Sequence, residues 1–320
     1  MWHDASTGSH IPSSGEGEAM APSVRQRRLG AELRRLREAK GLTQDEAAEL
    51  LSAELDRQHP ERRAAGGYSG HGWDGSRLSR VERAQLKIKP DAVGTLIDVY
   101  GVGDSERRDV FVALARDGAR RGWWQTYQDI ISPAYAELIS LEADAESLRS
   151  YQTLLIPGLL QTATYARAVV SGINPTSTAE EVDALVQVRI ARQSVLTRPK
   201  PLKLWAIIHE TALRAKVDPR VMRVQLQHLL DQAETPHVSI QIIPIAESPH
   251  PGLSGPFTVL GFPESADLDV VLVEHLASAL YVESAADVSV YGAAFEHLRA
   301  AALPLDKSAD LIADIMETLK

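Results

Sequence analysis

Leu29, Leu33 and Leu36 recur at helical spacing while Arg25, Arg27, Arg28, Arg34, Arg35 and Arg37 fill the other faces, which predicts an amphipathic helix over 25–39 that stops at Gly41. Thr43 and Glu46 then stand as a capping box, the hydroxyl accepting from an amide of the first turn and the carboxylate reaching back. The helix they open points Ala47, Ala48 and Leu51 inward, and side chains that small let another helix cross closely. From Ser52 to His71 the pattern lapses. Its charged start, SAELDRQHPERR, reads as a prolongation of the second helix, and AAGGYSGHG as a Gly-rich surface loop, an insertion that costs little closure entropy. Asp74 or Ser76 caps a third helix with Leu78 and Val81 on one face. Pro90 opens a fourth, lined by Val93, Leu96, Ile97 and Tyr100, and Asp104 or Ser105 a fifth, lined by Val110, Phe111, Leu114 and Ala115. Trp123 and Trp124 follow and are expected to pack the junction between two domains.

From Ile131 the pattern changes. Tyr135, Leu138, Ile139, Leu141, Ala145 and Leu148 form a helical stripe, and after the break at Pro157 and Gly158 a helix restarts over 159–170. A second capping box, Thr178 with Glu181, opens a helix to Leu196, and another spans 219–233. Short runs rich in Val and Ile at 202–209, 238–244, 257–262, 270–275 and 280–283 read as strands, and their adjacency favours a mainly antiparallel sheet. Helices at 288–302 and 309–319 close the chain. Their apolar residues Val290, Phe295 and Leu298, then Leu311, Ile312, Ile315 and Met316, either cap the sheet or form a dimer interface. The fold class is therefore an all-α amino-terminal domain of five helices over 23–120, after a disordered tail at 1–22, followed by an α+β domain over 121–320.

With 320 residues, 44% of them hydrophobic, the chain can bury two cores. It has no cysteine, which excludes disulfides and thiolate metal sites, and no apolar run long enough to span a membrane, so a cytoplasmic protein is expected. The net charge of −9 argues against a nucleic-acid partner until it is divided by region. Residues 21–90 carry fifteen basic against ten acidic side chains, and residues 91–320 nineteen against thirty. The positive charge is concentrated where a phosphate backbone could use it.

The third helix sharpens this. Ser76, Arg77, Arg80 and Arg83 are left for its outward face, and an arginine guanidinium matches O6 and N7 of guanine in a bidentate way. Arg80 is the first choice for a base contact. Thr43, Gln44, Lys87 and Lys89 flank it as candidates for phosphate contacts, and Arg57, Arg62 and Arg63 of the insertion could reach the backbone as well. The segments LRRLREAKGLTQDEAAELL and GWDGSRLSRVE together resemble the xenobiotic-response-element (XRE) type of helix-turn-helix repressor, from which they depart by the insertion. The resemblance implies a lambda-repressor-like domain and double-stranded DNA as partner.

Further on, LEADAESLRSYQTLLIPGLLQTATYARA, VQVRIARQSVL, LWAIIHETALR and SIQIIPI with GPFTVLGF follow in the order found in a large actinobacterial regulator family described as antitoxin-like. That resemblance implies a transcriptional regulator, often encoded beside a short companion protein. The competing enzymatic reading rests on His209 with Glu210, Glu274 with His275, and His250 in the loop 246–257. Their spacing matches no ligand or nucleophile motif, so neither catalysis, metal nor cofactor is expected. One recognition helix reads only a few base pairs, so a homodimer on two half-sites is expected.

Overall fold

The computed structural model describes residues 23–58, 72–116, 123–247, 249–262, 269–275 and 278–319. The tail at 1–22 and the Gly-rich part of the insertion, with Arg62, Arg63 and Tyr68, lie outside the described residues.

Helix α1 (Val24–Ala39) starts at a capping box absent from the sequence reading, in which the Ser23 hydroxyl accepts from the Gln26 amide and the Gln26 side chain accepts from the Ser23 amide. Helix α2 (Gln44–Gln58) starts at the expected one, closed by Thr43 and Glu46. It does continue into the insertion, but not as a detachable piece. Leu55 is 3% exposed within the amino-terminal core, and the Thr95 hydroxyl donates to the Gln58 side chain at 3.3 Å. Excising Ser52–His71 whole would therefore open that core. Helix α3 (Gly75–Glu82) is capped by Asp74, and α4 (Pro90–Tyr100) ends at Gly101 in the left-handed region, φ 78°. Helix α5 (Ser105–Arg116) adds Phe111 to a core of Leu29, Leu33, Leu51, Leu78, Leu96 and Ile97.

The carboxy-terminal region is a six-stranded mixed sheet ordered β3-β2-β1-β4-β5-β6, with strands β1 (Ser147–Gln152), β2 (Lys203–His209), β3 (Val238–Ile243), β4 (Phe257–Gly261), β5 (Val270–Glu274) and β6 (Ala279–Val282). Three of its five pairings are antiparallel, while β1, β2 and β3 run parallel. Helices α6 (Pro133–Asp144), α7 (Ala163–Ile173), α8 (Ala179–Arg192) and α9 (Pro219–Ala233) carry the crossovers between parallel strands or precede them. Leu141, Tyr165 and Leu226 from these helices pack with Leu148, Leu204 and Ile240 on one face of the sheet. Helix α10 (Ala285–Ala301) covers the other face, placing Phe295 and Leu298 against Tyr151, Ile207 and Val259. Helix α11 (Leu305–Thr318) contributes Ile312 and Ile315 to the first core, and Ser308 accepts from the Ile242 amide on the edge strand at 2.9 Å. With both faces covered, β4 is buried throughout and β2 and β5 each hold three consecutive buried residues.

Two expectations need correction, and an alternative left open is decided. Leu148 is not on the helical stripe: α6 ends at Asp144, Ala145 is extended, and Leu148 lies on β1, near the middle of the sheet. The strand is polar because Ser150 hydrogen-bonds Thr258 and Arg149 pairs with Asp269, which removes the Val and Ile signature. Trp123 and Trp124 do not pack the junction between domains. Trp123 is exposed and Trp124 rests half-buried beside Ile139 and Val188 of the second domain. Phe295, Leu298, Ile312 and Ile315 are consumed by the domain's own cores, which leaves Val290, 66% exposed, as the outward residue of that set.

The junction between domains is instead made by the start of α1. Val24 belongs to the carboxy-terminal core, and its amide donates to Glu137 at 2.9 Å. Arg25 pairs with Asp144, Arg27 with Glu283 at 2.8 Å, and the Arg28 guanidinium lies 4.0 Å over the Phe262 ring. Three of the six arginines assigned to outward faces, Arg25, Arg28 and Arg37, are thus buried. Burial lowers Arg28 to about 10, and burial raises Glu137, Asp269 and Glu283 above the ordinary carboxylate range. A carboxylate whose pKa is higher folded than unfolded stabilises the fold in its protonated form. That contribution is full below about pH 4 and is lost as pH rises through the raised value. Acidification from neutral pH should therefore raise the thermal midpoint before Glu38, Glu46 and Glu210, whose values are lowered, begin to protonate. Glu283→Gln should blunt that rise, and a midpoint that falls monotonically from pH 7 would contradict it.

Candidate nucleic-acid interface

Helix α3 is short, and what fixes it is one carboxylate. Glu82, 6% exposed, accepts from Arg37 of α1 at 2.6 and 3.0 Å and from the side chain of Gln44, the first residue of α2, at 2.7 Å. Arg37 also donates to the Leu42 carbonyl at 2.8 Å, so the α1–α2 turn joins the same network. The hydrogen bonds to Glu82 hold Arg37 above the usual guanidinium value. Close backbone approach completes the arrangement. A Cβ on Gly30 would lie 2.6 Å from the Glu82 carbonyl, and one on Gly75 2.1 Å from the Asp45 carboxylate, which accepts from the Gly75 amide. Helices α2 and α3 therefore meet directly despite the long connection between them.

With Leu78, Val81 and Glu82 turned inward, Ser76, Arg80 and Arg83 are exposed on the opposite side. Among the described residues the Arg80 guanidinium has neither a hydrogen bond nor an ion pair. Arg77 is more constrained, stacked 4.6 Å from the Trp73 ring and donating to the Gly72 carbonyl at 3.4 Å. Arg83 folds back on the Ser79 carbonyl at 3.2 Å. The chain leaves α3 through Ala84, in the left-handed region at φ 58°, with the Gln85 and Leu86 amides both donating to the Arg80 carbonyl. Lys87 and Lys89 follow, both exposed, and Thr43 is exposed at the start of α2. Gln44 departs from its expected role: one of its amide hydrogens goes to Glu82 and not outward. Arg57 likewise pairs with Glu54. The sequence reading missed Glu82 and Arg37 as positioning residues. The signal lay in a glycine, Gly30, inside a helix of otherwise good helix formers.

The alternative cluster in the second domain does not assemble. Strand register puts His209 on the face shared with Tyr151 and Ile207, and Glu274 on the opposite face with Ser150 and Thr258. His209 lies beside His250, ring centroids 6.1 Å apart, and burial, then His250, lowers its pKa. Among the described residues no group of three or more His, Asp or Glu is arranged to hold a metal ion, and no helix is long and apolar enough to cross a membrane.

An exposed basic short helix, clamped by its neighbours, defines the amino-terminal unit as a helix-turn-helix domain, and a family model described as "Helix-turn-helix domain" matches residues 28–110. A second model, "Domain of unknown function (DUF5753)", matches residues 135–314, more than half of the chain, and the chain belongs to that family. Comparison with curated proteins and with solved structures found no match.

Proposed function

We propose that this chain is a sequence-specific transcriptional regulator of the XRE type, a cytoplasmic repressor whose lambda-repressor-like domain of five helices reads double-stranded DNA through α3. The observation that carries the reading is Arg80: exposed, without a partner among the described residues, on a helix anchored to α1 and α2 through Glu82. Arg80 reads a base edge, with Ser76 leaving room for close approach. Arg77, Arg83, Lys87, Lys89 and Thr43 contact the backbone, and the spare hydrogen of Gln44 can join them. The protein acts as a homodimer, because one helix cannot supply the ~10³ to 10⁷ preference over nonspecific DNA that regulation needs.

The second domain senses a small molecule or a short companion protein, and its state reaches the reading domain through α1, whose first residue sits in the carboxy-terminal core. A second reading keeps the DNA contact but makes grip on a companion protein the main task, as in an antitoxin-like regulator. Copurification of a stoichiometric short protein favours that reading. An enzymatic role has less support, given the separation of His209 and Glu274.

Duplex binding should weaken linearly in log–log fashion with salt. The slope should be about −0.9 per phosphate neutralised, hence on the order of −4 if all four basic backbone candidates of one reading domain engage. Affinity that is independent of salt would refute a basic reading surface.

A further inference from the structure

The Trp123–Tyr127 turn is the first described segment after α5, and it leaves Trp123 out of the core while Trp124 and Tyr127 pack half-buried against Ile139 and Val188. Trp123 is 39% exposed and meets Trp124 edge to face, ring centroids 6.0 Å apart at 88°. An open cleft of about 420 Å³ lies against them, walled by the buried Ile139 and Val195, with Arg192, Glu142 and Arg198 as its charged lining. This volume falls within the ~300–1,000 Å³ of small-molecule sites.

The charges decide the class of ligand. Arg192 and Glu142 neutralise each other through hydrogen bonds of 2.9 and 2.6 Å. Arg198 is held by carbonyls alone, those of Ala143, of Ala145 at 2.6 Å and of Lys200 at 2.8 Å, and among the described residues it has no carboxylate partner. The cleft thus carries one uncompensated positive charge on a guanidinium that keeps spare N–H donors. We infer that it binds a planar aromatic carboxylate, its ring against Trp123 and Trp124 and its carboxylate on Arg198. Uncharged aromatics would leave Arg198 uncompensated, and non-aromatic anions would leave the tryptophans in water.

The inference rests on the reading that the second domain takes a small-molecule ligand, and the test separates the two. Titration calorimetry of the full chain with 2-naphthoate should show one site per chain, with 2-naphthamide weaker by about tenfold, the scale of one charge-assisted hydrogen bond. Trp123→Ala and Arg198→Gln should each weaken naphthoate by roughly tenfold, while Arg198→Lys keeps much of the preference for the acid. Trp123 is exposed, so Trp123→Ala should melt like the parent and keeps the test valid even if Arg198→Gln loosens the end of α6. Absence of naphthoate binding, or binding indifferent to Trp123→Ala, would overturn the site. Binding that follows these variants but leaves duplex affinity unchanged would uphold the site and refute small-molecule sensing.

Discussion

Replacing Arg37 by methionine should cost about 3–5 kcal/mol of stability and remove sequence-specific DNA binding, because it strands a buried carboxylate. The Glu82 side chain is 1% exposed and accepts two of its three hydrogen bonds from Arg37; only the one from the neutral Gln44 amide would remain. A buried ion pair contributes little beyond a well-packed apolar pair, but one with a single member removed is costly. The double replacement Arg37→Met with Glu82→Leu should therefore recover most of the lost stability. It should not fully recover recognition, since the clamp also fixes how α3 is presented. Denaturant unfolding of the two singles and the double gives the coupling directly. A loss below about 1 kcal/mol for Arg37→Met would mean that Glu82 reaches water.

Arg192→Met should have an effect of similar size, about 3–5 kcal/mol, in the second domain. Arg192 and Glu142 have side chains 7% and 3% exposed, and the Arg192 guanidinium also donates to the Tyr135 hydroxyl at 2.6 Å. Burial alone would lower the arginine, but Glu142 and Tyr135 outweigh it and raise it, so it stays charged at every accessible pH. The loss in Arg192→Met should therefore hold across neutral pH. An Arg192→Met protein as stable as the parent at pH 7 would contradict a closed ion pair at this position.

Much of this molecule was legible in its sequence where local chemistry decides local structure. Both capping boxes, Thr43 with Glu46 and Thr178 with Glu181, close as read, and the helix over 219–233 begins and ends where its Pro and its periodicity place it. Ser76, Arg80 and Arg83 do share an exposed face, because an eight-residue helix with Leu78 and Val81 inside has only one other side to offer. What was not legible depends on distant partners. Arg25, Arg28 and Arg37 read as solvated because nothing local reveals Asp144, Phe262 or Glu82 across the chain. Strand β1 was hidden because Ser150 and Arg149 satisfy themselves against β4 and Asp269 and dispense with β-branched residues. The burial of Leu55, inside the stretch where the pattern lapses, is not legible because a single buried leucine leaves no periodicity behind it.

The reading of α3 as a base-contacting helix is tested most directly by Arg80→Ala, measured against the preferred duplex and all its single base-pair variants at fixed salt. The side chain is exposed and without a partner among the described residues, so stability should be unchanged within about 0.5 kcal/mol. Discrimination should collapse by roughly 1–3 kcal/mol at one base-pair position per half-site while the other positions keep theirs. An Arg80→Ala protein that ranks every variant as the parent does would show that α3 does not read bases through this residue.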